Sequence, residues 1–388
     1  MRRLLLVLAL VACGQVEGPG PPPPPGPPAP PPPPPPPPPA PWAYRAPVDR
    51  GDGLGGAFAA ARGLDTARTS SLIRSVLSGA TPNIHAILIY RLGDLVLEEY
   101  FAGTARFDGQ FRTYTADSLH ELYSVSKSVT SAAVGIALAS GAIPTLDTRI
   151  APTIPDYASQ TATDLSTLTF RHLLTMSAGL AWDESSTDYT DPANDHRKMD
   201  ASPDPLTYLV TRPKAANPGV RFVYNSGLTH LLGELVKRRV NQSLDGYAAT
   251  RVFQPLGITQ YFWYRYPNGV THAGGGLFLR PRDMMKFGVL YARFGSWQGR
   301  RVIDSAWVAQ STRAQAPGAA GYGYQWWIDS WTVNGRTISG YSAQGIGGQY
   351  VFVVPSLDLV VVFTGNQPAA QQLLPFQLMR NYVLPAVR

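Results

Sequence analysis

The chain has 388 residues, room for one large domain or two lobes around a substantial core. Its 44% hydrophobic and 15% charged residues are the proportions of a globular protein with rather few charges. The formal charge of +7 is spread along the chain without a basic run, so the pattern makes no case for nucleic-acid binding.

The first predicted element is a targeting segment. Arg2-Arg3 precede a short apolar run, Leu4 to Ala12, too short to span a bilayer as a mature helix. The run ends Leu10-Val11-Ala12-Cys13, which is similar to a bacterial lipobox, where small residues precede a cysteine that is lipidated and becomes the mature N-terminus. Residues 1–13 are therefore expected to be a lipoprotein signal peptide, with Cys13 as the lipidation site and the membrane, through its lipid, as a partner. Cys13 is also the only cysteine, which excludes an intrachain disulfide. Gly14 rather than Asp follows it. Similarity to lipoprotein sorting patterns then favours the outer membrane in a cell that has one, and the expected location is the outer membrane and periplasm or the cell surface.

Residues 14–42 read as a proline-rich linker. From Pro19 to Pro41 nearly every residue is proline, with few amide donors and a fixed φ, so the stretch predicts an extended polyproline II rod. At about 3.1 Å per residue it would reach roughly 70 Å. A spacer holding a domain off a membrane explains it more simply than a recognition motif for aromatic grooves.

The globular part, 43–388, opens with a predicted helix, Thr66 to Leu77. Strand-like runs Ile84 to Tyr90 and Leu95 to Phe101, joined at Leu92-Gly93-Asp94, predict a β-hairpin. An apolar helical run, Val129 to Leu138, extends to Gly141, where glycine can end a helix. Thr169 to Met176, Leu228 to Arg239 and Pro281 to Phe294 are further helical patterns, with breaks at Leu256-Gly257 and Pro267-Asn268-Gly269. Tyr324 to Ile328, Arg336 to Ser339, Gln349 to Val354 and Leu357 to Thr364 are rich in strand formers, and a helix is expected from Pro368 on. The economical packing is an α+β fold: one antiparallel sheet built from hairpin and C-terminal meander, flanked by helices. An all-helical lobe, about 124–260, is inserted, with a cleft between the lobes.

At the mouth of the apolar helix stands Ser124-Val125-Ser126-Lys127. Residues three apart on a helix share a face, so the Lys127 amine can reach the Ser124 hydroxyl. A serine hydroxyl is a poor nucleophile without an adjacent base, and this spacing supplies one without histidine.

Other segments complete a pattern around this tetrad. They are Leu173-Leu174-Thr175-Met176-Ser177-Ala178-Gly179-Leu180, Pro218 to Gly227 with Tyr224-Asn225-Ser226, Ala273-Gly274-Gly275-Gly276-Leu277, Arg280-Pro281-Arg282-Asp283-Met284 and Gly345-Ile346-Gly347-Gly348-Gln349. In this order the chain resembles the serine β-lactamase-like hydrolases: class C β-lactamases, D-alanyl-D-alanine carboxypeptidases, family VIII carboxylesterases and 6-aminohexanoate-dimer hydrolases. The resemblance covers roughly Leu64 to the C-terminus and implies the β-lactamase/transpeptidase-like fold.

It also implies roles. Ser124 is the acylating nucleophile. Lys127, its pKa lowered by burial, accepts a proton, and Tyr224 serves as a base whose phenolate a nearby lysine cation would favour. The Lys127–Tyr224 pair titrates jointly. The Ser124 and Ile346 backbone N–H groups would form an oxyanion hole, such donors being worth about 2.7–4 kcal/mol each. Ser226 and Gly345 support the site, Ser226 by a hydrogen bond to Lys127.

The pattern departs from relatives in two places. Ser226 stands where many have asparagine. Ala343-Gln344-Gly345 carries no lysine or histidine to bind a substrate carboxylate. The expected function is therefore hydrolysis of neutral esters or amides through a Ser-Lys-Tyr acyl-enzyme, with β-lactamase or D-Ala-D-Ala carboxypeptidase as the alternative. An inactive cell-wall binding protein is the non-enzyme reading, which the presence of Ser124, Lys127 and Tyr224 disfavours.

An α/β-hydrolase would need Gly-x-Ser-x-Gly, and Gly340-Tyr341-Ser342-Ala343-Gln344 lacks the final glycine. The six histidines show no His-Glu-x-x-His pattern, so no metal and no cofactor are expected. His85 reads as a core or edge residue, and His172 and His230 as packing or hydrogen-bonding groups. Trp182, Asp183, Glu184, Trp326 and Trp327 fall where the resemblance places the cleft lining.

Overall fold

The computed structural model describes residues 42–159, 165–319 and 321–388. The leader, Cys13 and nearly all of the proline tract lie outside the described residues. Among those that are described, no helix is long and apolar enough to cross a membrane.

Hairpin and meander join in one seven-stranded sheet. Its order is Gly55–Gly56, Asp94–Tyr100, Ile84–Arg91, Leu359–Gly365, Gln349–Val354, Arg336–Gly345, Trp327–Val333. All neighbours are antiparallel except the two-residue edge strand, which runs parallel to Asp94-Leu95. The hairpin turns at Leu92 and Gly93 with φ of 48° and 99°, and positive values at both central residues match the right-handed twist of the flanking strands. Strands Ile84–Arg91, Gln349–Val354 and Leu359–Gly365 are buried along their whole length, which explains why apolar residues predominate on both of their faces.

The helices end where local chemistry says they should. Asp65 caps Thr66–Leu77 by accepting from Ala67 N and Arg68 N, and Asn225 caps Ser226–Val240 by accepting from Leu228 N. Helix Pro281–Ala292 lies across the sheet. A Cβ at Gly288 would come within 2.7 Å of Val360 and Val351, so only glycine lets the helix sit this close. Its first two turns carry Arg282, buried against Asp52 (2.8 Å) and Glu98 (2.7 Å), and Lys286, 3.1 Å from Asp283.

The central helix, Ser126–Ala139, is buried nearly all round. Its small residues allow this. A Cβ at Gly135 would strike Trp307 at 2.4 Å. Its hydroxyls are satisfied by carbonyls of other segments: Ser128 donates to Gln325 O and Ser131 to Tyr324 O (2.7 Å each), and Thr130 to Ala273 O (2.9 Å). One expectation fails nearby. Tyr324 to Trp326 is not strand, because its carbonyls serve the central helix and Trp326 packs on Phe287 and Tyr291; the strand begins at Trp327.

Candidate active site

Ser124 lies in a single 3₁₀ turn, Tyr123–Val125, that leads directly into the central helix. Tyr123 has φ +47°, a left-handed conformation that costs a non-glycine residue energy and turns the chain sharply before Ser124. One helical turn on, Lys127 Nζ donates to Ser124 Oγ (2.8 Å) and to the Gly274 carbonyl (2.7 Å). It also sits 5.1 Å from the Tyr224 ring centroid. Lys127 is 2% exposed. Burial pulls its pKa down to about 8, against the opposing charges of Glu184 and Asp200.

Tyr224 stands in extended chain just ahead of the Asn225 cap. Its ring stacks on Trp327 at 5.8 Å, and it walls the smaller part of the cleft together with Ser124. Burial, helped by the Glu184 charge, raises its pKa, and the nearby Ser124 only partly opposes this. The expectation that a nearby lysine would favour the phenolate therefore fails: Lys127 faces the ring, and desolvation dominates.

The third element approaches from the sheet. A Cβ at Gly345 would lie 2.3 Å from the Leu122 carbonyl, so glycine is what lets this strand end close on the Ser124 turn. Ile346 follows and lines the cleft with Ser124. Gln372 brackets it, donating to Gly345 O and accepting from Gly347 N (2.9 Å each). Gln349 ties the same turn to Gly365, donating to its carbonyl at 2.7 Å. The structure thus brings together Ser124, Lys127, Tyr224, Ile346 and Gly345.

Ser226 is placed differently from expectation. Its Oγ and N–H both donate to Glu184 (2.7 Å each), not to Lys127. Glu184 is buried and also accepts from Trp182 Nε1 (2.8 Å) and Tyr189 OH (3.1 Å). Four donors and a helix N-terminus thus hold a buried carboxylate beside the lysine. Of the residues expected to line the cleft, Trp327 does so, while Trp182 serves Glu184, Trp326 is core and Asp183 is exposed. Ala343 is also core, and Gln344 is the side chain that reaches the cleft from that strand.

The cleft has a main chamber of about 780 Å³, bordered by Ser124, Ile346, Arg106 and Arg197. A smaller one of about 240 Å³ is walled by Tyr189, Tyr224, Trp327 and Ile346. Among the described residues neither Arg106 nor Arg197 has a side-chain hydrogen bond or ion pair. Sequence reasoning missed both arginines and Gln372, because nothing local marks them.

Serine, buried lysine and tyrosine thus meet at the edge of an antiparallel sheet, a grouping that suits a serine hydrolase. The family model described as Beta-lactamase matches residues 79–379, and the chain belongs to that family. It is 24% identical over 317 residues to the 6-aminohexanoate-dimer hydrolase of Paenarthrobacter ureafaciens, covering 73% of this chain and 72% of that protein. Penicillin-binding protein 4 of Amycolatopsis lactamdurans is 27% identical over 293 residues, 65% of this chain and 73% of that one. The crystal structure of a family VIII carboxylesterase superposes with a TM-score of 0.61 at 16% identity, over 80% of this chain and 97% of the other.

Proposed function

We propose that the protein hydrolyses neutral carboxylic esters or amides through an acyl-enzyme on Ser124. The observation that carries this is the 2.8 Å contact between Ser124 Oγ and a buried lysine amine whose pKa is near 8. At pH 7 roughly a tenth of such a lysine is neutral and able to accept the serine proton. Ser124 Oγ attacks the substrate carbonyl carbon as its proton passes to Lys127. The oxyanion is received by the Ser124 and Ile346 N–H groups. Tyr224, a phenol at neutral pH, relays the proton from Lys127 to the leaving alcohol or amine. Water then attacks the acyl carbon as its proton passes to Lys127, and the bond from Ser124 Oγ to the acyl carbon breaks, Ser124 taking the proton back as the acid leaves. The aromatic walls of the smaller chamber suit an apolar acyl or alcohol group.

Ser124→Ala tests the reading. Ester turnover should fall by at least about a thousandfold with the fold intact, since a small change in the cleft removes no core volume. A fluorophosphonate probe should label the wild type at Ser124. Wild-type-like turnover in Ser124→Ala would sink the mechanism, and an unlabelled wild type would favour the inactive binding protein.

A second reading is favoured by Arg106 and Arg197, cations that line the main chamber and could hold a substrate carboxylate, as a β-lactam or D-Ala-D-Ala peptide requires. One charged hydrogen bond of this kind is worth about 1.5–3 kcal/mol, roughly ten- to a hundredfold in kcat/KM. The comparison is nitrocefin against p-nitrophenyl butyrate. The ester should win. Preference for nitrocefin, lost in Arg106→Ala, would reverse the ranking.

A further inference from the structure

Four ionisable side chains outside the serine site converge on one point: His196, Asp200, His230 and His272, one ligand-type atom of each lying within 4.8 Å of all the others. Three separate segments deliver them. His196 and Asp200 are four apart on the short helix Asp195–Asp200, His230 is on helix Ser226–Val240, and His272 is in the turn before Gly274. His196 Nδ1 lies 3.2 Å and His272 Nε2 3.6 Å from the two Asp200 oxygens. His230 is fully buried, and neither of its ring nitrogens has a hydrogen-bond partner; His272 Nδ1 has none either.

Protons alone serve this cluster poorly. Asp200 carries one negative charge and already accepts from Tyr266 OH at 2.6 Å. It can neutralise one imidazolium, which leaves other rings buried with unmet nitrogens, at about 1–3 kcal/mol for each such group. His230 is among the most deeply buried polar residues of the protein, in a family that needs no histidine for the serine chemistry set out above. A cation at the centre would use the lone pairs of all three rings and the carboxylate together.

We propose that His196, Asp200, His230 and His272 bind a divalent transition metal, with zinc the best fit. Three imidazoles and one carboxylate are a tetrahedral zinc donor set, whereas calcium and magnesium prefer oxygen ligands throughout. Bonds of about 2.0–2.1 Å put tetrahedral ligands about 3.3–3.4 Å apart, so the widest pair here must close by no more than about 1.5 Å. Tyr266 supplies the outer hydrogen bond that orients the carboxylate. With four protein ligands the ion is structural. It pins helix Asp195–Asp200 and helix Ser226–Val240 to the turn whose Gly274 carbonyl holds Lys127. His196, Asp200 and His272 border the same chamber as Ser124, so the ion has a path in from solvent.

The test uses the chain without an added histidine tag, stripped with chelator and dialysed against zinc, then against cobalt. About one zinc per chain should remain by elemental analysis, cobalt should give the visible spectrum of a tetrahedral site, and zinc should raise Tm. His230→Ala and His272→Ala should each weaken zinc binding more than a hundredfold, and Tyr266→Phe about 10- to 100-fold. Ser124→Ala should leave the stoichiometry unchanged, which separates this site from the serine mechanism. A folded wild type that retains no zinc, or His272→Ala protein that binds zinc like the wild type, overturns the proposal.

Discussion

Burial and the Glu184 charge pull the Lys127 pKa in opposite directions. Because the proposed mechanism needs a neutral lysine to accept the serine proton, and burial holds its pKa near 8, kcat/KM should rise with pH about tenfold per unit below 8 and level off above about 9. Tyr224 is shifted upward, so no descending limb is expected before strongly alkaline pH. Glu184 opposes the lysine's shift. Glu184→Gln removes that charge, so the Lys127 pKa falls further and the acid limb moves to lower pH. The same change points an amide N–H at one of four donors and should cost about 1–3 kcal/mol of stability. A pH–rate profile beside a denaturant melt separates the two effects, and an acid limb that stays put or moves up would remove Glu184 from the electrostatics. The spacing of Ser124 and Lys127 made their contact legible in the sequence. The partner of Ser226 was not legible, because Glu184 arrives from 42 residues away and only the folded lobe brings it to the helix start.

At the scale of elements, the parts that local chemistry specifies were readable. The helix Thr66–Leu77 begins at its Asp65 cap, and the hairpin turns where Leu92-Gly93 allows. Aromatic density misled once: Tyr324 to Trp326 has strand composition, yet its aromatic side chains fill the core beneath the central helix while its backbone answers that helix's hydroxyls. The four residues proposed to hold zinc show in sequence only as His196 and Asp200 one helical turn apart, and His230 and His272 join them through tertiary packing alone. The strand end at Gly345 carries its own prediction. Gly345→Ala would force Leu122 O away from the new methyl, opening the gap between Ile346 and the Ser124 turn. Activity should drop about 10²- to 10³-fold, the cost of one misplaced oxyanion donor, and Tm should fall as well, because the atom the methyl meets is backbone. Unchanged kcat with normal folding would show that the close approach is not needed.

For the whole molecule, residues Ala43–Arg388 form one compact unit, and everything proposed about export rests on the segment before it. We infer from Leu10-Val11-Ala12-Cys13 that the protein is a lipid-anchored export product with the proline tract as spacer. Cys13→Ser should move it from the membrane fraction to the soluble one on cell fractionation; wild type that is fully soluble after export would remove the anchor. The sheet adds a matter of timing. Arg91, in the hairpin, donates to Leu357, 266 residues later, and strand Ile84–Arg91, paired locally with Asp94–Tyr100 on one side, waits for Leu359–Gly365 on the other. Pairing across so long a stretch is slow, because chain entropy is lost before any contact repays it. Gln372, which clamps the Ile346 turn, comes later still. A ribosome that has made the nucleophile has therefore made nothing active, and the site stays unfinished until Leu359–Gly365 and Gln372 have been made as well. Under the export proposed above, such a delay would leave the chain unfolded enough to be threaded across a membrane and would keep its hydrolytic activity out of the compartment where it is made.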